Sequence, residues 1–440
     1  MANSTTADKL PFGLKTSQVD AMYSIANRAL VQTCHMIWQA NNREDHEATD
    51  PKVGGHPAAC ASSLHLTTAM HLVARAPQDF WCGKPHMAPL DHSLHHQLEV
   101  FRHPDGKYLS NEESQLLMAR LRQFSADGSP TFQSYHASSD PDSWRILPSG
   151  TVGIPPVNSG YLALMHRYLV DRNLQPKQDI HFWSLLGDSE FREGSLFEAI
   201  TDFGERNLSN VTWILDYNRQ SLDGTRLINN EAFDGTDADR IRKTMLANGW
   251  EVIELRHGRK RREAFSRDGG KALQNIFDNL LSDFDFQALL WKRDANLIRD
   301  EFINRDPKVK KLLKQLSDDE ILEIYQDLGG HDLIDILDAY HQCRESAKPT
   351  MVLAHTIKGF NMNDFAQHGN HSSLPSEAEI DSMLESEGLN REQPYDLIGN
   401  WQQDGEQRAM LQKRGTVLRS GIENEEQKLQ SRKAEYQQVF

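Results

Sequence analysis

The tightest constraint in this sequence lies between residues 181 and 220. Two apolar runs, His181-Phe182-Trp183-Ser184-Leu185-Leu186 and Val211-Thr212-Trp213-Ile214-Leu215, each end in a polar turn. The first leads into Gly187-Asp188-Ser189-Glu190, the second into Asp216-Tyr217-Asn218-Arg219-Gln220. Between them, 194–206 carries Leu196, Phe197, Ile200 and Phe203 at spacings of three and four, which predicts a helix with those side chains on one side. Strand, helix, strand is the crossover that makes two strands parallel. In open parallel sheets ligands collect beyond the carboxyl ends of the strands, where Asp188 and Asn218 both fall.

The residue types at those ends specify a ligand chemistry. Asp188 offers a hard carboxylate oxygen, Asn218 an amide oxygen, and the backbone at Gln220 a carbonyl oxygen. Three oxygens from two loops suit a magnesium ion that keeps a water and shares a phosphate-bearing ligand. Ser189 and Glu190 open the turn towards the helix, whose free N–H groups favour an anion. The expected ligand is a magnesium-bound diphosphate, with Gly187, Asp188, Ser189, Glu190 and Asn218 around it.

A Gly-Asp pair at a strand end, followed about thirty residues later by Asn, resembles the thiamine-diphosphate fingerprint of the transketolase and 2-oxoacid dehydrogenase superfamily. Leu222-Asp223-Gly224 adds to the match, and Ser189 departs from it, standing where the family has Gly. A serine still presents its backbone N–H to a phosphate. Over roughly residues 15–375 the pattern is most similar to the amino-terminal part of the homodimeric bacterial pyruvate dehydrogenase. The resemblance implies thiamine diphosphate and magnesium as cofactors. It also implies an α/β fold in which a parallel sheet is flanked by helices, in agreement with the β-α alternation that continues through 236–255.

Further segments extend the resemblance. Gly54-Gly55-His56 precedes small residues and Ala61-Ser62-Ser63. Paired glycines let backbone approach a ligand closely, and the family's histidine at this place lies in the active centre, a role His56 inherits; the plainer reading is a helix cap. A short strand over 79–82 ends at Gly83-Lys84-Pro85-His86-Met87, where the resemblance implies a second active-centre histidine, His86, although the family's Gly-His pair is interrupted. Gly150-Thr151-Val152-Gly153 resembles a turn that lines the aminopyrimidine, which assigns Val152 and Gly153 to cofactor contact; Pro155 replaces a flexible residue there. A last strand over 349–354 runs into His355-Thr356-Ile357-Lys358-Gly359-Phe360, nearly identical to the family's segment. His355 and Lys358 are expected at the same carboxyl edge as Asp188, with Lys358 neutralising a phosphate or substrate carboxylate. The polar loop 361–375 holds His371, for which the resemblance implies a part in passing an acyl group to a lipoyl arm; a surface loop without chemistry is the alternative.

Other features are more neutral. His92, His95 and His96 are close together, but their spacing matches no standard zinc pattern. The basic run 257–262 reads as a solvated helix entrance or as a phosphate or partner site. Leu328-Gly329-Gly330-His331-Asp332 has a counterpart in the family and is expected to be structural. From 377 the chain becomes acidic helices too polar for a core, either a docking arm or frayed helix.

Composition narrows the class. A formal charge of -15 argues against a general nucleic-acid binder. No apolar run is long enough to span a bilayer, and the first fifteen residues lack the pattern of a signal peptide. Four scattered cysteines fit reduced thiols in a cytoplasm better than a disulfide or zinc framework. The expected organisation is a helical arm over 1–50, a diphosphate- and magnesium-binding domain over 51–375, and a helical tail over 376–440.

In the family the cofactor lies between two domains, the second binding the aminopyrimidine and supplying a glutamate. No counterpart of that second domain is found in this sequence. The expectation is an alpha-type subunit completed by a beta-type subunit with the pyrimidine-binding domain, in an α2β2 heterotetramer. The implied reaction is decarboxylation of a 2-oxoacid such as pyruvate, with acyl transfer to a lipoyl or other carrier thiol. Two-carbon ketol transfer from a sugar phosphate on the same residues, with a carrier protein as one acceptor, is the alternative, and a non-catalytic regulatory subunit is the second alternative.

Overall fold

A computed structural model describes residues 10–44, 47, 49–123, 131–221, 224–225 and 235–439. Leu222 and Asp223, which extend the fingerprint, lie outside them. Five strands form one parallel sheet: β1 (Phe80–Cys82), β2 (Phe182–Gly187), β3 (Val211–Tyr217), β6 (Glu251–Leu255) and β7 (Thr350–His355), in the order β1-β2-β3-β7-β6. The short strands β4 (Gln220–Ser221) and β5 (Gly224–Thr225) make a separate antiparallel hairpin after β3. The sheet is an α/β layer flanked by helices, as the alternation predicts.

Strands covered on both faces need apolar residues on both, and the central strands show it. On β2, Trp183 and Leu185 join one core while Phe182 and Leu186 join the other. On β7, Val352 and Ala354 face the first core and Met351 and Leu353 the second. This period-two division follows from the pleat. The first core is built on the helix Thr16–Asn41 together with residues 60–74 and 90–101, and the second on the helix Gly194–Glu205. A third cluster, formed by helical segments between Ala264 and Leu328, reaches Ile357 and Phe365 beyond β7.

Several elements differ in detail from the sequence expectation. On Gly194–Glu205 the buried stripe is Leu196, Ala199, Ile200 and Phe203; Phe197 is exposed, because Ala199 takes the inward position. The helix Ile154–Asp171 carries Pro155 and Pro156 in its first turn, where a missing N–H costs nothing. Gly160 on this helix lies so close to Phe203 that a Cβ there would sit 1.9 Å from its ring, so the two helices meet at a residue without a side chain.

The polar tail contributes to the core. Ile380, Leu384, Leu389, Tyr395, Met410, Leu411 and Leu418 join the cluster of Thr16–Asn41. Arg28, fully buried, gives hydrogen bonds to Glu387, Ile398 O and Asn400 and stacks 3.8 Å over Trp401. The helix Glu406–Val439 is polar on average because only a narrow stripe of it, including Met410, Leu411, Leu418 and Ile422, is buried. The basic run 257–262 is spent internally: Arg262 pairs with Asp335, Arg259 with Asp332, Lys260 with Glu323, and Arg261 is buried against Phe277. Gly329 and Gly330 let 328–332 press on the ends of β6 and β7, where a Cβ would meet Leu255 and His355 backbone, confirming a structural reason for that segment. The four cysteines are free and buried. Among the described residues no helix is long and apolar enough to cross a membrane.

Candidate active site

Strand register assembles the site. Gly187 pairs with Asp216 and Asp216 with Ala354, so β2, β3 and β7 end together. The turn after β2 and the turn after β3 are then locked: Asp188 Oδ2 accepts the backbone N–H of Arg219 at 2.7 Å. Arg219 lies between Asn218 and Gln220, so this bond sets both of those residues beside Asp188. Its φ of 65° is unusual for a residue with a side chain, and its guanidinium is anchored to the Thr356 carbonyl. Asn218 Oδ1 accepts the Gln220 N–H (3.1 Å), while its amide N–H groups turn towards Ser62 and Asp216. Asp188, Asn218 and Gln220 are all buried, and Gln220 Oε1 has no hydrogen-bond donor. Ser189, beside Asp188, opens the turn, and Glu190 follows in a short helical turn.

Glu190 is buried and accepts the Gly153 N–H at 3.3 Å. Burial pushes its carboxyl up to about 7, against the pull of the Gly153 N–H and of Lys84. Gly153 adopts φ 77° and a Cβ there would strike Glu193 at 2.6 Å, so only glycine lets this turn reach Glu190. Val152, one residue earlier, is exposed.

Three histidines converge on the same end of the sheet. The His56 ring lies 3.9 Å from that of His86 between centroids, tilted at 41°, and 4.6 Å from that of His371. Gly55 makes this possible, since a Cβ there would meet the His86 carbonyl at 2.7 Å. His86 itself is in the left-handed region, with φ 68°. Its carbonyl accepts the His56 N–H, and its Nε2 lies 3.1 Å from the Tyr135 hydroxyl. His371 Nδ1 lies 3.0 Å from Lys358 Nζ, so the ammonium donates to it. Burial lowers the pKa of His56 to about 2 and of His371 to about 4, with neighbouring cations adding to the effect, and burial lowers His86 too. Burial thus disfavours the charged form of all three rings, which serve as neutral hydrogen-bonding groups. Burial, with the Lys84 charge, brings Lys358 down to about 8.

His355 is not brought into this trio. It ends β7 as expected, but its Nε2 is 3.0 Å from Glu254 Oε1 on the neighbouring strand and its ring packs on Tyr217. Burial holds the imidazole down to about 3 even beside that carboxylate.

Sequence reasoning missed the pair beneath the site. Lys84 forms a buried ion pair with Asp216, which also accepts hydrogen bonds from Ser62, Ser63 and Thr356. Burial alone would raise the Asp216 carboxyl; Lys84 and the hydroxyls hold it below its ordinary range. The available signal was positional: Lys84 follows β1 as Asp188 follows β2. Tyr135 had none, lying in a loop far from His86 in sequence.

No family model matches the sequence. Curated relatives do. The chain is 32% identical over 236 residues to the pyruvate dehydrogenase E1 component of Corynebacterium glutamicum, an overlap of 53% of this chain and 24% of that one. It is 31% identical over 326 residues to the E1 component of Mycolicibacterium smegmatis, covering 72% of this chain and 33% of the relative. The chain thus spans about a third or less of the length of these relatives. Among solved structures, transketolase from Leishmania mexicana superposes with a TM-score of 0.59 at 16% identity, over 94% of this chain and 47% of that one. A Pichia stipitis transketolase in complex with sedoheptulose 7-phosphate gives 0.59 at 17% identity, over 96% and 48%.

These sequence relatives and fold neighbours fit the transketolase and 2-oxoacid dehydrogenase superfamily. The sequence relatives lie on the dehydrogenase side of that superfamily and the fold neighbours on the transketolase side. Within it, the segments that carried the resemblance, 54–63, 187–218 and 355–359, are the ones that meet at the carboxyl ends of β2, β3 and β7.

Proposed function

We propose that this chain is the alpha-type subunit of a thiamine-diphosphate-dependent enzyme that decarboxylates a 2-oxoacid, pyruvate being the first candidate, and passes the acyl group to a lipoyl or other carrier thiol. The observation that carries the proposal is the Asp188–Arg219 lock, which sets a carboxylate, Asn218 and Gln220 together beneath two buried lysines and three neutral histidines. Magnesium suits the oxygen donors Asp188, Asn218 and the Gln220 backbone. A diphosphate suits Lys358, whose ammonium is held down by burial and by Lys84, so that an anion beside it relieves both effects. Gly187, Ser189, Glu190, Val152 and Gly153 complete the cofactor contacts in this reading.

Thiamine diphosphate, when bound, supplies the carbanion and the electron sink. The chain's own residues bind, orient and move protons. His56 and His86, side by side and with their charged forms disfavoured, offer N–H groups that stabilise developing charge at the substrate carbonyl oxygen. His371, its Nδ1 occupied by Lys358, presents its other nitrogen as a donor on the acyl-transfer side. His355 acts as a positioning residue through Glu254 and Tyr217.

The pyrimidine-binding half of the centre is proposed to come from a beta-type subunit in an α2β2 assembly in the cytoplasm. Supporting this, the helix that begins at Gly153 exposes Tyr161, Met165 and Tyr168 at helical spacing, next to exposed Val152. Domain limits of 1–50, 51–375 and 376–440 remain the proposed division, with one core shared among the three segments. Transketolase-like ketol transfer is a second reading, favoured by the fold neighbours.

The test is co-purification with a candidate beta-type chain, followed by magnesium-dependent thiamine-diphosphate binding with pyruvate and a ketose phosphate offered in parallel. Carbon dioxide release from pyruvate supports the first reading; ketose consumption supports the second. Absence of magnesium-dependent binding with the partner present overturns both and points to a regulatory subunit.

A pH dependence follows from Lys358. An anion held by its ammonium raises the pKa from about 8, so affinity is level below that pH and falls as pH rises above it, with proton uptake on binding near pH 8. Calorimetry in buffers of different ionisation enthalpy checks this, and Lys358→Met should remove the uptake.

A further inference from the structure

We propose that His92, His136, Asp140 and Asp142 form a structural site for a divalent transition metal of the zinc class, separate from the diphosphate site. One ligand atom from each of the four lies within 4.8 Å of the others, and all four residues are buried, none more than 4% exposed. A tetrahedron with bonds of about 2.0–2.2 Å has edges of about 3.3–3.6 Å, so small side-chain rotations close the set around an ion.

The second, independent observation is that each residue keeps a buried atom without a hydrogen-bond partner: His92 Nε2, His136 Nδ1, Asp140 Oδ1 and Asp142 Oδ1. Buried polar atoms are normally satisfied, and the orphans on His136, Asp140 and Asp142 in one cluster are costly unless something accepts their lone pairs. The other atom of each residue is held. His136 Nε2 lies 2.8 Å from Asp91 Oδ2 and His92 Nδ1 2.7 Å from Asp142 Oδ2. A carboxylate only accepts, so His136 Nε2 carries the proton and its Nδ1 keeps a lone pair; His92 meets the set through Nδ1, where an ion would replace the proton it shares with Asp142. Asp140 Oδ2 accepts the Ala137 N–H and Asp142 Oδ2 a bond from His95. Histidine ligands oriented by a carboxylate on the far nitrogen are the usual outer shell of a zinc site.

The outer shell is closed. Asp91 accepts from His71 and Trp81 as well as His136, and His71 joins His95, which returns to Asp142. Two histidines and two carboxylates, with no thiolate, fit zinc better than a soft-metal site, and burial argues against a water-rich magnesium shell. A cavity of about 1380 Å³ lined by His95, Asp140 and Asp142 offers a path inward.

The site would staple the helix Ala88–Gln97 to the loop around residue 136. Tyr135, next to His136, bonds His86, so the metal would hold that active-centre contact from behind. The spacing His92, His95, His96 concealed this, because only His92 is a ligand and the other three come from a second segment.

The experiment uses the full-length chain. Metal content after exhaustive dialysis is measured on the wild type and on Asp142→Asn, His136→Gln and the outer-shell variant Asp91→Asn, and the chelated wild type is titrated with zinc alone and with cobalt(II) alone. About one zinc per chain and the visible bands of four-coordinate cobalt are expected, with affinity falling about 10–100-fold in Asp91→Asn. Asp188→Asn should retain the zinc, which separates this site from the diphosphate site. A folded wild type that binds neither zinc nor cobalt overturns the proposal, whatever the variants do, and leaves the cluster a hydrogen-bonded network.

Discussion

Lys84→Met is expected to lower the unfolding free energy by about 3–5 kcal/mol, the usual cost of removing one partner from a buried ion pair. Both side chains lie out of water, and Asp216 sits in the middle strand of the sheet with no route to solvent. Ser62, Ser63 and Thr356 continue to donate to it, but they are neutral and cannot balance its charge. The sign of the pH dependence follows. With Lys84 gone, burial raises the folded-state pKa of Asp216 above its unfolded value, so the folded state holds the proton more tightly. The deficit is then smallest at acid pH and grows as pH rises through that raised pKa. Asp216→Asn added to Lys84→Met removes the unbalanced charge and should recover a large part of the loss. Urea midpoints at pH 5 and 8 for the three proteins measure all of this. A single variant within about 1 kcal/mol of wild type would mean the pair is not buried as described.

That pair marks the border of what the sequence makes legible. Strands buried on both faces need continuous apolar runs, so β2, β3 and β7 stand out, and the residues just after them fall at one edge by parallel geometry alone. Asp188, Asn218 and Lys358 are legible for that reason. Side-chain direction is not. His355 ends its strand where expected, yet its ring turns to Glu254 on β6, a neighbour known only once the order β3-β7-β6 is known. His371 stands in a polar loop that no strand register positions, and only the folded chain shows it against His56 and Lys358.

Packing hides in a similar way. Ala199 displaces Phe197 from the core because the helix has room for a small residue against the sheet, and periodicity does not rank Ala above Phe. The tail's apolar residues are sparse among charges, so average polarity masks the stripe that Met410, Leu411, Leu418 and Ile422 bury. Ligands drawn from two segments, as at His92 and His136 to Asp142, leave no spacing to read.

Asp188→Asn is expected to weaken magnesium-dependent thiamine-diphosphate binding by at least about 100-fold in the presence of the partner chain, more than the about 10–100-fold that loss of a hydrogen-bonding partner behind a metal ligand costs. Asparagine retains an oxygen to accept the Arg219 N–H, so the two turns stay locked and stability should change by less than about 1 kcal/mol. Asp188→Ala removes charge and acceptor together. The Arg219 N–H is then buried and unsatisfied, and its φ of 65° loses the contact that holds it, which should cost about 1–3 kcal/mol in addition to the lost binding. The contrast separates a ligand from a brace: a residue that only positions the loop would show normal binding in Asp188→Asn and a defect in Asp188→Ala. Calorimetric titration of cofactor at fixed magnesium, with urea midpoints on the same preparations, distinguishes the two. Wild-type affinity in Asp188→Asn would remove the magnesium from Asp188, and the diphosphate would then have to be held by Lys84 and Lys358 alone.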